Sequence, residues 1–184
     1  MRGFIFCLVM WAWVVPAASD ETAARAALVA GGHVALMRHA DAPGVGDPPG
    51  YRLDDCATQR LLNDTGRARA AVIGADLRAA GIRIDRVLAS PWCRCVETAE
   101  RLAVGPVVVE DAFGNAFVQR DRRAALAAAG RAVVADWLGP GTLLVVTHGE
   151  NIADLTGVSV GYGEMVVVAP ADGAVIGRIP PPAP

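Results

Sequence analysis

The chain has 184 residues, is 53% apolar and 20% charged, and carries a net charge of −2. That length suits one domain, and the apolar fraction excludes a disordered chain. Every basic residue is an arginine, which excludes Schiff-base chemistry and a Walker A phosphate loop, and no like-charge block marks a nucleic-acid partner.

Arg2 precedes an apolar run from Phe4 to Val15, and Pro16-Ala17-Ala18-Ser19 follows. A basic start, a short apolar stretch and small residues at the end describe a secretory signal peptide over 1–19, cut after Ser19. The run falls short of the ~20 apolar residues that span a bilayer, so no stable membrane span is expected after processing. The folded domain is then 20–184, exported to the periplasm or secreted. Export suits the cysteines. Cys7 leaves with the signal, and Cys56 is expected to pair with Cys93 or Cys95, which point in different directions on one helix. The C-x-C spacing is wrong for a structural zinc site.

A short Ala-rich helix is expected over Glu21 to Ala30. His33 to Met37 reads as a buried parallel strand, ending in Arg38-His39-Ala40. Asp41 to Arg60 is rich in Gly, Pro and Asp and forms a long loop, of the kind that carries function. Asn63-Asp64-Thr65 caps a helix from about Thr65 to Ala80, with Gly81 as its stop. Arg86 to Ala89 is the second strand. Ser90 then caps a helix to about Leu102, with Pro91 in its first position. Val107 to Val109 is the third strand. Arg120 to Leu138 reads as a scaffold helix interrupted by Gly130. Thr142 to Thr147 is the fourth strand and leads to His148-Gly149. A short helix over Asn151 to Leu155 comes next, and Met165 to Val168 with Ala174 to Ile179 forms a terminal hairpin around Ala171-Asp172-Gly173. Strands alternating with helices predict a three-layer α/β/α sandwich with a mostly parallel sheet and a C-terminal hairpin.

Ligands of open parallel sheets bind beyond the carboxyl ends of the strands. Arg38 and His39 close the first strand, His148 closes the fourth, and Arg94 lies in the early turns of the helix after the second. His33, at the opposite end of its strand, reads as structural. A neutral imidazole is a competent nucleophile near pH 7. Guanidinium groups and a second imidazole can hold the oxygens of a phosphoryl group through charge-assisted bonds. That chemistry requires neither cofactor nor metal.

Three segments carry a resemblance. Leu36-Met37-Arg38-His39, Ser90-Pro91-Trp92-Cys93-Arg94-Cys95-Val96-Glu97-Thr98-Ala99 and Val146-Thr147-His148-Gly149 resemble, in this order, the motifs of the histidine phosphatase superfamily. The small phosphohistidine-phosphatase-like branch shares with this chain its lack of long insertions. The resemblance runs from about His33 to Val168. It implies a phosphoric monoester hydrolase that passes through a phosphohistidine on His39, with Arg38, Arg94 and His148 binding phosphate and His148 also stabilising the transferring group. A small phosphorylated substrate is the implied partner, a phosphomonoester or phosphoramidate.

Two positions depart from the family pattern. Ala40 stands where Gly is usual, and Asn115 stands where an acid is sought after the third strand. Asp41 in the first loop, Glu110 or Asp111, and Glu150 beside His148 are the candidate acids. Trp92 is read as packing. Asp54, Asp55 and Arg60 are read as shaping the long loop, with lining of the pocket as the alternative. Three other functions are weighed: phosphoglycerate mutase-type transfer, a non-catalytic phosphate-binding pseudo-enzyme that lacks the acid, and a metallohydrolase using His39, His148 and Asp41.

Overall fold

The computed structural model describes residues 17–182. The expected signal segment lies outside them except for its last three residues. These open the first helix, α1 (Ala17–Ala30), so the expected cut after Ser19 falls inside a helix that begins earlier than the sequence suggested.

Six strands form one sheet: β1 (Val34–Arg38), β2 (Ile84–Ala89), β3 (Val107–Val109), β4 (Thr142–Thr147), β5 (Met165–Val168) and β6 (Val175–Ile179). Their order is β3-β2-β4-β1-β5-β6. β1 to β4 run parallel, and β5 and β6 continue the sheet as an antiparallel hairpin. The helices α1, α2 (Asp64–Ala79) and α3 (Cys93–Leu102) cover one face. Leu28, Ile73, Leu77, Ala99 and Leu102 bury there against Met37, Val87 and Leu144. The helices α4 (Arg123–Ala135) and α5 (Gly149–Thr156) cover the other, where Val134 and Ile152 meet Leu36, Val145 and Val166. β1 and β4 are buried almost throughout, which is why their sequences are near-continuous apolar runs rather than alternating ones. This is the expected three-layer sandwich.

Two helix expectations are corrected. α3 begins at Cys93, not at Pro91, and its N-cap is Trp92 in an extended conformation, not Ser90. The Ser90 hydroxyl is bonded to the His148 ring instead, so it does not cap the helix. Over 120–138 the chain forms a 3-10 turn at Arg120–Arg122 and then α4. Gly130 does not interrupt α4. It is buried there, and a Cβ at that position would touch Leu155 and Phe113.

Candidate active site

Strand register builds the site. Arg38 pairs with Thr147 as the last rung between β1 and β4, so the next residues, His39 and His148, leave the sheet side by side. The His39 main-chain N–H donates to the Thr147 carbonyl at 2.9 Å, and that of Ser90 donates to the Val146 carbonyl at 2.9 Å. Three strand ends thus converge. The two imidazole centroids lie 5.5 Å apart with the rings nearly perpendicular.

Both rings are buried, yet both border an open cavity of about 330 Å³ together with Arg38, Arg60, Tyr162 and Glu150. His39 Nδ1 donates to the Ala40 carbonyl at 2.8 Å. A carbonyl only accepts, so Nδ1 carries the proton and the neutral ring keeps its lone pair on Nε2. Burial first, then the charges of Arg94, Arg60 and Arg38, hold the His39 pKa well below the ordinary imidazole value, against the opposing bond to Ala40. His148 is lowered likewise by burial, then by His39 and the same three arginines. Its Nε2 is 2.9 Å from the Ser90 hydroxyl and 3.6 Å from Cys95 Sγ, and the edge of Trp92 packs on its ring.

Arg38 lies over the Tyr162 ring, its Cζ 4.0 Å from the centroid, and donates from Nη1 to the Val160 carbonyl. Its Nε is buried without a hydrogen-bond partner. Tyr162 also packs on His39, at 5.5 Å between centroids, and its hydroxyl donates to the Ala42 carbonyl. Sequence reasoning missed Tyr162. Its one signal is an aromatic held between glycines, of which Gly163 has φ +73° and donates its N–H to the Arg38 carbonyl.

The other sequence-chosen residues divide. Arg94 is fully buried and does not border the cavity; its guanidinium makes an ion pair with Asp47 at 2.7 Å. Arg60 is the second guanidinium on the cavity wall, fixed by bonds to the carbonyls of Gly46 and Ala42. Of the two readings left open for Arg60, the structure takes pocket lining. Asp54 is exposed, and Asp55 caps a 3-10 turn over Cys56–Thr58.

Of the candidate acids, Asp41 is tied to Arg69 at 3.0 Å and does not border the cavity. Glu150 does border it and lies 3.2 Å from Arg123. Asn115 is buried in the same wall, with its side-chain oxygen accepting from the Phe117 N–H. Ala40 needs no glycine conformation, since Ala103 is the one non-glycine residue with positive φ among the described residues. The Ala40 N–H donates to Thr98 Oγ1, which in turn donates to the Arg94 carbonyl.

Cys56 is bonded to Cys93, and Cys95 is free and buried. Burial pushes its thiol up to about 12, which removes it as a nucleophile near neutrality. His33 bonds the Gly31 carbonyl and does not border the cavity. Among the described residues no three His, Cys, Asp or Glu side chains gather as a metal site.

The family model of the histidine phosphatase superfamily (branch 1) matches residues 34–116. No curated protein matches the chain significantly. Solved structures share the fold. The protein histidine phosphatase SixA, in complex with tungstate, is 20% identical over 78% of this chain and 92% of its own, with a TM-score of 0.55. A SixA-type protein from Agrobacterium tumefaciens is 21% identical over 82% of this chain and 98% of its own, with a TM-score of 0.56. A mycobacterial glucosyl-3-phosphoglycerate phosphatase is 18% identical over 80% of this chain and 95% of its own, with a TM-score of 0.53.

Proposed function

From a chain of the histidine phosphatase superfamily, matched over residues 34–116, we propose an exported, metal-independent phosphatase that hydrolyses phosphomonoesters or phosphoramidates through a phosphohistidine on His39. The observation that carries this reading is the pair of facing imidazoles on one cavity wall with Arg38.

In the first step the lone pair on His39 Nε2 attacks phosphorus, and the bond from phosphorus to the leaving oxygen or nitrogen breaks with its electrons on the leaving atom. Arg38, Arg60 and His148 hold the non-bridging oxygens as charge spreads over them. In the second step water attacks phosphorus and passes a proton to the Glu150 carboxylate or to solvent, the N–P bond breaks, orthophosphate departs, and the lone pair returns to Nε2.

The leaving group takes its proton from Glu150 or from solvent, because Asp41 is engaged by Arg69 and Asn115 has no acidic proton. The Glu150 carboxylate is 44% exposed and shared with Arg123. Such a donor suits leaving groups that depart readily, aryl phosphates and phosphoramidates among them. Export is supported by the Cys56–Cys93 disulfide, a bond at home in an oxidising compartment. No helix among the described residues is long and apolar enough to cross a membrane.

The test is burst labelling with a radiolabelled aryl phosphate in excess chelator. The native chain is expected to form an acid-labile protein adduct and turn over, and His39→Ala to do neither. An active His39→Ala protein overturns the reading. Asn115 in the cavity wall favours one second reading, a phosphate-binding module without catalysis. Turnover of the aryl phosphate separates the two.

A further inference from the structure

Arg94 is held by Asp47, a residue that neither the family motifs nor the loop composition marks. The carboxylate of Asp47 is fully buried, as is the guanidinium it meets. It accepts from Arg94 Nη1 at 2.7 Å on one oxygen and from Nη2 at 3.2 Å on the other. The first oxygen also accepts from the Arg60 main-chain N–H at 3.0 Å, and the second from Trp92 Nε1 at 3.0 Å. One side chain therefore joins the long loop to the start of α3. It comes just after the turn Gly44-Val45-Gly46, which forms part of the cavity wall and holds both glycines at positive φ.

A guanidinium offers five N–H groups on two edges. Asp47 occupies the end-on edge of Arg94, and the Arg60 carbonyl takes a further contact from Nη1 at 3.3 Å. Arg94 Nε remains, buried and without a partner. A buried, unsatisfied donor is costly unless something fills it. Arg94 does not border the cavity; within the phosphatase reading, on which this step rests, its charge acts on the phosphoryl group from behind the wall that Arg60 lines. Meanwhile the bond to the Arg60 N–H fixes the residue whose guanidinium stands on the cavity wall.

We propose that Asp47 is a positioning residue of the phosphate cradle, orienting Arg94 and Arg60 together so that the charge of the one, behind the cavity wall, and the guanidinium of the other, on it, serve the same anion. The opposite role, a carboxylate that blocks Arg94 until phosphate displaces it, would strand both the Trp92 Nε1–H and the Arg60 N–H in a buried site, which opposes displacement.

The experiment measures orthophosphate dissociation constants by calorimetry, KM and kcat on an aryl phosphate, and melting temperature for the native chain, Asp47→Asn, Asp47→Glu, Arg94→Gln and the Asp47→Asn/Arg94→Gln double variant. Loss of a charge-assisted contact predicts about 10-fold or more weaker phosphate binding and a matching rise in KM for Asp47→Asn, with kcat changing less. The double variant is expected to bind more weakly than Arg94→Gln alone only by the share that Asp47 exerts through Arg60, and so to lose less than the product of the two single losses. Asp47→Glu retains the charge pair with a longer arm, and gives the same comparison if Asp47→Asn does not fold. Tighter phosphate binding in either Asp47 variant overturns the proposal, as do losses that multiply in the double variant. A native chain that binds orthophosphate but turns nothing over refutes the phosphatase reading and leaves the binding comparison intact.

Discussion

At the scale of single residues, the site keeps two imidazoles neutral among arginines. His39 and His148 are both held well below the ordinary imidazole pKa, by burial first and by neighbouring positive charge after it. The acid limb of kcat/KM, which reports the base of the free enzyme, is therefore expected below the usual histidine value of about 6.5. A pH–rate profile on an aryl phosphate checks this, and a limb at or above that value contradicts it. The same shifts set a stability dependence. Below about pH 6.5 the unfolded chain takes up protons on these two residues before the folded chain does, so stability declines as pH falls from there toward the folded-state values and is unaffected by them above it. Urea midpoints measured across the acid range should fall in that direction, and less steeply in a His148→Asn variant.

At the scale of elements, the close approach of α2 to α3 keeps α3 in place. Gly74 of α2 lies against the main chain of α3, so a Cβ there would come within 1.9 Å of the Leu102 carbonyl oxygen. No side chain can yield to relieve that overlap, since the obstacle is backbone. Gly74→Ala is expected to destabilise by about 1–3 kcal/mol or more, through separation of the two helices. Denaturant midpoints check it, and an unchanged midpoint refutes it. Sequence reasoning located α2 and α3 but misjudged where α3 begins. Ser90-Pro91 is a sound local start signal, yet the Ser90 hydroxyl is spent on His148, a partner 58 residues away that no local pattern reveals. The Ala-rich stretch after Arg120 failed in another way. Alanines without an apolar stripe set no boundary, and packing on Phe113 and Leu155 decides that Gly130 stays helical.

At the scale of the whole molecule, the long loop is held on the sheet end from three directions: by Asp47 on Arg94, by the Tyr162 hydroxyl on the carbonyl of Ala42, and by the disulfide from Cys56 to Cys93. The disulfide closes a segment of 37 residues. In the chain-entropy account that closure is worth about 3–4 kcal/mol through the unfolded state. Cys56→Ser is thus expected to lower unfolding free energy by that order and to weaken phosphate binding, because Arg60 lies within the released loop. Equilibrium denaturation with and without reductant tests the first part. Coincident curves for the variant and the native chain would refute it.

The fold class and the two histidines were readable from the chain itself. Buried parallel strands must be apolar along their length, so Val34 to Met37 and Leu143 to Val146 announce themselves, and the residues just past each strand must lie at the ligand-binding edge. Arg38, His39 and His148 needed no more than that. The tertiary structure alone decided which guanidiniums border the cavity. The sequence places Arg94 in a motif and Arg60 in a loop, yet Arg60 borders the cavity, while Arg94 pairs with Asp47 beside the start of α3. It also removed Asp41 by giving it Arg69, and chose Cys93 over Cys95 for the disulfide. These outcomes belong to a loop without periodicity, where position is set by which buried charge finds a partner rather than by any repeat along the chain.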